Sequence, residues 1–282
     1  MSATPVSASA PEVAAPLNVP RGSAVARRLR FLKQYGIWRK AVRELWRFKW
    51  REHRGRPVVG TYHTRGGGVS YRIRHATRDV GIFAEVFIAG EYDPPAAVST
   101  RLQELGRPPR ILDLGANIGL FAAYCREQWP DAAITAVEPD PENLELLRAT
   151  AVAAKVVVVP ACAATREGTV RFVAGEFAES HVATEDSGED TIELPCVDAF
   201  RFAQAADLVK IDIEGSEWEI LADARFADLG AEAVAMEWHD IGCPHPDPCA
   251  AAHAALEKAG YEVLCENRPL ASNGTIWALR TR

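Results

Sequence analysis

The chain has 282 residues, 48% hydrophobic and 25% charged, with six cysteines and a formal net charge of −6. That is ordinary soluble composition, with enough chain for one large domain or two small ones around a sizeable core. It excludes a disulfide-stapled miniprotein, and no apolar run reaches the roughly 20 residues of a membrane span.

The first twenty residues lack the charged and apolar regions of a signal peptide. Cys125, Cys162, Cys196, Cys243, Cys249 and Cys265 are scattered and read as reduced, so the expected location is cytoplasmic. The charge is uneven. Residues 21–56 carry +11, whereas residues 57–282 carry −16. An acidic body with a short basic segment is not the pattern of a nucleic-acid-binding domain, which is basic across its binding face.

Residues 1–24 are rich in Ala, Pro and Ser and read as a disordered tail. Over 25–54, Tyr35, Trp38, Val42, Leu45 and Trp46 recur at helical spacing between Arg and Lys, predicting a basic amphipathic helix that ends at Gly55-Arg56-Pro57. Residues 58–75 alternate around Gly66-Gly67-Gly68 and predict a hairpin. Asp79 to Ile88 reads as a helix; with the hairpin it makes an N-terminal extension over 58–109.

From Arg110 the rhythm becomes strand, turn, helix. Strands are expected at Arg110–Leu114, Ile134–Glu138, Val156–Pro160, Leu208–Ile213 and Ala233–Trp238. Helices are expected at Leu120–Gln128, Glu142–Ala153, Ser216–Ala224 and Pro248–Lys258. Thr169–Val173 and Ile192–Val197 look like extra strands, and Tyr261–Cys265 with Thr275–Leu279 like a closing antiparallel pair. Alternation of this kind implies a parallel sheet covered on both faces, so 110–282 reads as one α/β domain.

Ile111-Leu112-Asp113-Leu114-Gly115-Ala116-Asn117-Ile118-Gly119 lies where a buried strand enters a helix. Gly115 permits a sharp turn, and Gly119 permits close approach of a ligand or the strand. The pattern is neither G-x-G-x-x-G nor a P-loop, and nothing in it holds a pyrophosphate. Asp113 repels phosphate but suits a cationic, amino-acid-like ligand end. The plain alternative is a tight βα turn without a ligand. Glu138 ends the next strand, where a carboxylate accepts hydrogen bonds from ribose hydroxyls. Asp140 reads as a helix cap ahead of Pro141. Together these point to an adenosine ligand without phosphates, and S-adenosylmethionine fits.

In Leu208–Glu217, Lys210, Asp212 and Glu214 alternate along one side of a buried strand. Such groups are costly there unless they pair or work. A structural Lys210–Asp212 pair, with Glu217 favouring the helix start, is the plainer reading. Glu237 and His239 share one face at another strand's C-terminal end. His239 is either a general base or simply hydrogen-bonded. Asp212, Glu214, Glu237 and His239 offer a possible ligand set for Mg²⁺, which is not predicted. Cys243, His245 and Cys249 have a spacing that zinc can use, but three intervening prolines favour a rigid loop.

Phe83-Ala84-Glu85-Val86-Phe87, Gly90-Glu91-Tyr92-Asp93, Asp113 to Gly119, Glu138-Pro139-Asp140, Lys210 to Glu217 and Glu237-Trp238-His239 resemble the FkbM family of S-adenosylmethionine-dependent methyltransferases in order and spacing. The resemblance spans about residues 80–240. It implies a class I, Rossmann-like methyltransferase fold with a seven-stranded, mostly parallel sheet. It also implies methyl transfer, usually to a hydroxyl of a sugar, polyketide or other small metabolite; carboxyl and nitrogen acceptors occur in the family too. The cofactor-binding set is then Asp113, Gly115, Ala116, Asn117, Gly119, Glu138, Ala163 and Asp212. The catalytic set is Asp212 first, His239 next, with Glu214, and Glu237 orienting His239. Phe172 to Glu189 matches poorly and is expected to contact the acceptor.

Three roles compete for the basic helix: an anionic membrane surface or other anionic ligand, nucleic acid, or packing on the body or a second subunit. Nucleic acid is disfavoured by the acidic body and the lack of an Asn-Pro-Pro-Tyr-type motif. Macromolecule methylation and a catalytically silent partner protein are the alternative functions.

Overall fold

The structure is a computed structural model that describes residues 38–39, 41–66, 68–173, 181–182, 191–267 and 272–282. The expected tail over 1–24 and the first half of the basic helix lie outside the described residues. The rest of that helix is not continuous. Trp38 and Arg39 are helical, Val42 to Glu44 are not, and helix α1 covers Leu45–His53. Pairing with the hairpin causes the break. Arg43 N–H donates to the His63 carbonyl at 2.9 Å, and the Glu44 carboxylate accepts from His63 N–H at 3.0 Å. The buried side also differs from the expected stripe. Val42, Leu45 and Phe48 are buried, whereas Trp46 is 77% and Trp50 49% exposed.

Strands β1 (Val58–His63) and β2 (Ser70–His75) form the antiparallel hairpin. Helix α2 is Asp79–Ala84. The expected helix to Ile88 instead continues as a π-turn over Glu85–Ala89, closed by Gly90 in the left-handed region. Helix α3 (Ala96–Gln103) has no counterpart among the expected elements.

The body is a seven-stranded sheet. Its strands are β3 (Arg110–Leu114), β4 (Ala133–Val137), β5 (Val156–Val159), β10 (Leu208–Ile211), β11 (Ala233–His239), β12 (Tyr261–Asn267) and β13 (Asn273–Arg280). Their order is β12-β13-β11-β10-β3-β4-β5. β13 pairs antiparallel with both neighbours; the other pairs are parallel. The chain winds outward from β3 to one edge, then from β10 to the other, so the order reverses between β3 and β10. This is the class I, Rossmann-like methyltransferase fold. β6 (Cys162–Ala164), β7 (Gly168–Val173), β8 (His181–Val182) and β9 (Thr191–Asp198) form a separate small sheet.

Strand alternation sorts the core into two layers. Ile111, Leu208, Ala233 and Ala235 face the N-terminal extension and α4 (Leu120–Gln128), joining Phe48, Tyr62, Tyr71, Phe83 and Phe121. Leu112, Val209, Val234 and Met236 face α6 (Phe200–Ala203), α7 (Glu217–Ala222) and α8 (Pro248–Lys258). Helix α5 (Pro141–Ala154) begins at Asp140, whose carboxylate accepts from the Glu142 and Asn143 N–H groups. No helix of the described residues is long and apolar enough to cross a membrane.

Candidate active site

In an open α/β sheet, ligands bind beyond the strand C-termini where the strand order reverses. Here that point lies between β3 and β10, and a cavity of about 470 Å³ opens there. Gly115 follows β3 with φ +77°, and a Cβ on it would lie 1.6 Å from the Asp212 carbonyl oxygen. Only glycine lets the two strand ends approach so closely. Gly119 has a different role. A Cβ there would meet Leu147 at 2.7 Å, so this glycine seats α4 against α5 and does not line the cavity.

Asp113, Lys210 and Glu237 lie on the sheet face that carries Ile111 and Leu208. Asp113 is fully buried, and its oxygens lack a hydrogen-bond partner among the described residues. Its ion partner is Lys210, at 3.4 Å. Burial raises the Asp113 pKa, and the lysine opposes this. Lys210 Nζ also lies 3.0 Å from Asp212 Oδ2 and donates to the Gly115 carbonyl at 3.0 Å. Burial works against its charge, but Asp212 and then Asp113 raise its pKa.

Glu138 lines the cavity beyond β4. Its carboxylate accepts from Asn117 N–H at 2.7 Å, Asp140 N–H at 2.9 Å and Asn143 Nδ2 at 3.4 Å. Burial pushes its pKa up to about 7 despite those donors. Asn143 is oriented in turn by Arg74 of β2, which is ion-paired with buried Asp79 at 2.9 Å.

At the other end of the cavity, Tyr92 brings the extension into the site. Its hydroxyl lies 3.4 Å from Asp212 Oδ2 and 3.3 Å from Glu237 Oε2. Asn273 of β13 donates to Glu237 Oε1 at 2.7 Å. Glu214 stands at φ +52°, and its carboxylate lies 3.5 Å from His239 Nε2. Burial and the charge of Asp212 raise the pKa of both Glu214 and Glu237.

Glu217, not Glu237, orients His239. Glu217 Oε1 lies 3.0 Å from His239 Nδ1, whereas Glu237 Oε1 is 3.8 Å from Nε2. Fully buried, Glu217 also accepts from Ile213 N–H at 2.9 Å and Gly215 N–H at 2.8 Å, which shapes the turn after β10. Burial opposes a charged His239, but the Glu217 hydrogen bond and the charges of Glu217, Glu214 and Asp212 raise its pKa to about 10. This setting favours the protonated ring, which has no lone pair, and so opposes the proton acceptance expected of His239.

Of the expected residues, Gly115, Ala116, Asn117, Glu138, Ala163, Asp212, Glu214, Glu237 and His239 line the one cavity, and Phe172 joins them. The stretches 174–180 and 183–190, expected to contact the acceptor, lie outside the described residues. Asp113 sits beneath the cavity. Sequence reasoning missed the site roles of Tyr92, Glu217 and Glu85, which also lines the cavity; burial and neighbouring Glu91 push Glu85 up to about 7. Tyr92 lies in the Gly90-Glu91-Tyr92-Asp93 stretch, but nothing local ties it to Asp212.

The cavity's donor set suits S-adenosylmethionine. Glu138 offers carboxylate oxygens to a ribose diol, the Gly115 turn leaves backbone room, and Asp113, Asp212 and Glu237 around the single cation of Lys210 leave net negative charge for an ammonium group. Asp212, Glu214 and His239 also bring ligand atoms within 4.8 Å of one another.

A family model described as the methyltransferase FkbM domain matches residues 113–263. The chain is 28% identical over 211 residues to 31-O-demethyl-FK506 methyltransferase FkbM of Streptomyces tacrolimicus, covering 61% of this chain and 80% of that one. A methyltransferase, sdnD, of Sordaria araneosa is 38% identical over 66 residues, 23% of this chain and 22% of that one. The solved structure of methyltransferase FkbM from Methylobacillus flagellatus aligns at 17% identity and TM-score 0.43, over 71% of this chain and 53% of that one. Precorrin-6y C5,15-methyltransferase from Geobacter metallireducens aligns at 20% identity and TM-score 0.39, over 66% and 87%. The matched model spans more than half of the chain and both strand ends that build the cavity: the chain belongs to the FkbM family of S-adenosylmethionine-dependent methyltransferases.

Proposed function

We propose that the chain methylates a hydroxyl of a small metabolite, such as a sugar or a natural-product intermediate. The observation that carries this reading is the setting of Asp212. Lys210 and Tyr92 both engage its Oδ2, and Oδ1 has no partner among the described residues. Oδ1 is therefore the free acceptor in a cavity that the Gly115 turn also lines. The name of the Streptomyces tacrolimicus relative describes methyl transfer to an oxygen of a natural product, which supports the same acceptor class.

S-adenosylmethionine, when bound, supplies an activated methyl group on a sulfonium. The chain's own residues hold the acceptor and manage its proton. Asp212 takes the hydroxyl proton as attack begins. Glu214 and Glu237 accept hydrogen bonds from neighbouring hydroxyls and fix the angle of approach. His239, when protonated, offsets the charge of Glu214 and Glu237. Tyr92, Val86 and Phe121 wall the cavity against water.

The test has two steps. Isothermal titration with S-adenosylhomocysteine should show binding that Glu138→Ala abolishes. Methyl transfer from labelled S-adenosylmethionine to hydroxylated metabolites should then fall about 10²- to 10⁴-fold in Asp212→Asn, with cofactor affinity nearly unchanged. Wild-type turnover in that variant would sink the assignment. Label appearing on a carboxyl, an amine or a macromolecule would replace the acceptor class.

We place the activity in the cytoplasm, in line with cysteines that are scattered along the chain and expected to be reduced. A second reading concerns α1. Exposed Trp46 and Trp50 stand one helical turn apart beside Arg47 and Arg54 and suit an anionic lipid surface. Cosedimentation with phosphatidylserine vesicles, lost in a Trp46→Ala/Trp50→Ala double variant, tests it.

A further inference from the structure

We propose that Cys249, His253 and Glu266 form a binding site for a divalent transition metal, with zinc the best match to their donors. The site lies outside the methyltransferase cavity. Cys249 and His253 are four residues apart on α8, hence on one face of the helix. Glu266 reaches them from edge strand β12. One sulfur, one nitrogen and one carboxylate oxygen lie within 4.8 Å of one another.

The geometry is close to that of a metal-bound set. Cys249 Sγ lies 3.1 Å from Glu266 Oε1, and His253 Nε2 lies 3.2 Å from Glu266 Oε2. Zinc–sulfur bonds of about 2.3 Å and zinc–nitrogen or zinc–oxygen bonds of about 2.0–2.2 Å place tetrahedral donors about 3.4–3.6 Å apart. The two contacts to Glu266 are within a few tenths of an ångström of that spacing, and the sulfur–nitrogen separation, within 4.8 Å, closes by about 1.4 Å at most. Trp238 Nε1 donates to Glu266 Oε1 at 3.3 Å, the kind of outer contact that steadies a ligating carboxylate. A thiol, an imidazole and one carboxylate do not suit Mg²⁺ or Ca²⁺, which take oxygen ligands.

Binding balances simply. The Cys249 thiol proton, now directed at Glu266, passes to solvent as the metal–sulfur bond forms. The neutral His253 ring moves its proton from Nε2, where it faces Glu266, to Nδ1 through solvent, and gives the freed Nε2 lone pair to the metal. Thiolate and carboxylate then neutralise the dication, and water completes four-coordination. The bound metal ties β12 to α8. The zinc-like spacing of Cys243, His245 and Cys249 is not the one realised: among the described residues, the folded chain groups Cys249 with His253 and Glu266.

The test uses the full chain, reduced and stripped by a chelator, then titrated with Co²⁺ and Zn²⁺. One equivalent of Co²⁺ should give a thiolate-to-cobalt charge-transfer band that zinc abolishes. Cys249→Ser should lose the band. Cys249→Ser, His253→Gln and Glu266→Gln should each weaken zinc at least tenfold, with unchanged circular dichroism. Cys243→Ser and Cys265→Ser should behave as wild type. Zinc should raise the Tm of wild type but not of Cys249→Ser. Absence of the band would overturn the site, as would a band that survives Cys249→Ser or disappears in Cys243→Ser. Metal held by Asp212, Glu214 and His239 would show no thiolate band, so the two clusters are distinguished.

Discussion

Arg74 donates to the Asn143 side-chain oxygen at 2.6 Å, across 69 residues of chain. That bond turns the Asn143 amide nitrogen toward Glu138. The N-terminal hairpin thus helps to set, through Asn143, the Glu138 carboxylate proposed to hold the cofactor ribose. Arg74→Met should weaken S-adenosylhomocysteine binding in isothermal titration. It also strands buried Asp79, so a loss of about 3–5 kcal/mol in urea unfolding is expected. Asn143→Ala should weaken binding with a smaller cost in stability. Wild-type affinity in both variants would show the link to be silent.

Glu217 and His239 provide a pH test. The histidine's folded pKa, about 10, lies above its ordinary 6.5. Its contribution to stability is fully present below about pH 6.5 and is lost as pH rises through 10. Glu217→Gln should cost roughly 3 kcal/mol near neutrality, since it removes one partner of a buried pair. The difference from wild type should shrink above pH 10. NMR titration of the His239 ring should show its pKa falling in the variant.

Glu138 behaves in the opposite sense. Burial lifts its pKa to about 7, against roughly 4.3 for an unfolded glutamate. Between those values the folded chain holds a proton that the unfolded chain releases, so this group lowers stability as pH rises. Glu138→Gln should remove that part of the slope in pH-dependent denaturation. Ribose hydroxyls donate best to the ionised carboxylate. S-adenosylhomocysteine affinity should therefore rise from about pH 6 to 8 and level off above.

Phe48 and Trp46 differ by two positions and by environment. Phe48 is fully buried against Trp38, Tyr62 and Phe83, whereas Trp46 is exposed. Phe48→Ala should cost about 3–5 kcal/mol. Trp46→Ala should stay within about 0.5 kcal/mol. Chemical denaturation of the two variants decides between these values.

Much of the sheet was legible because its signals are local. Apolar runs of four to seven residues, broken by Gly115, Pro139 and Gly215, mark strands and their exits. Asp140 before Pro141 marks a helix start. The glycine turn and Glu138 could be placed at strand ends for the same reason. The contacts that complete the site are not local. Tyr92 meets Asp212 across 120 residues, and Glu217 meets His239 across 22. No periodicity encodes such pairs. The break before α1 was hidden likewise, since Glu44 fits a helix until His63 arrives to receive it. Helix α3 is short and of mixed polarity, which left its pattern too faint to read.

The position of β13 has a kinetic consequence. β12 precedes it in the chain, yet β12 meets the large sheet only through β13. The earlier strand therefore has to wait for the later one before it can be hydrogen-bonded into place. Until then β11 has an open edge on the side of Asn273 and Thr275, and neither Asn273 nor the Thr275–Glu91 contact is in position. Folding of this half of the protein should thus run against chain order, with the Glu237 and Asn273 end of the cavity among the last parts to form.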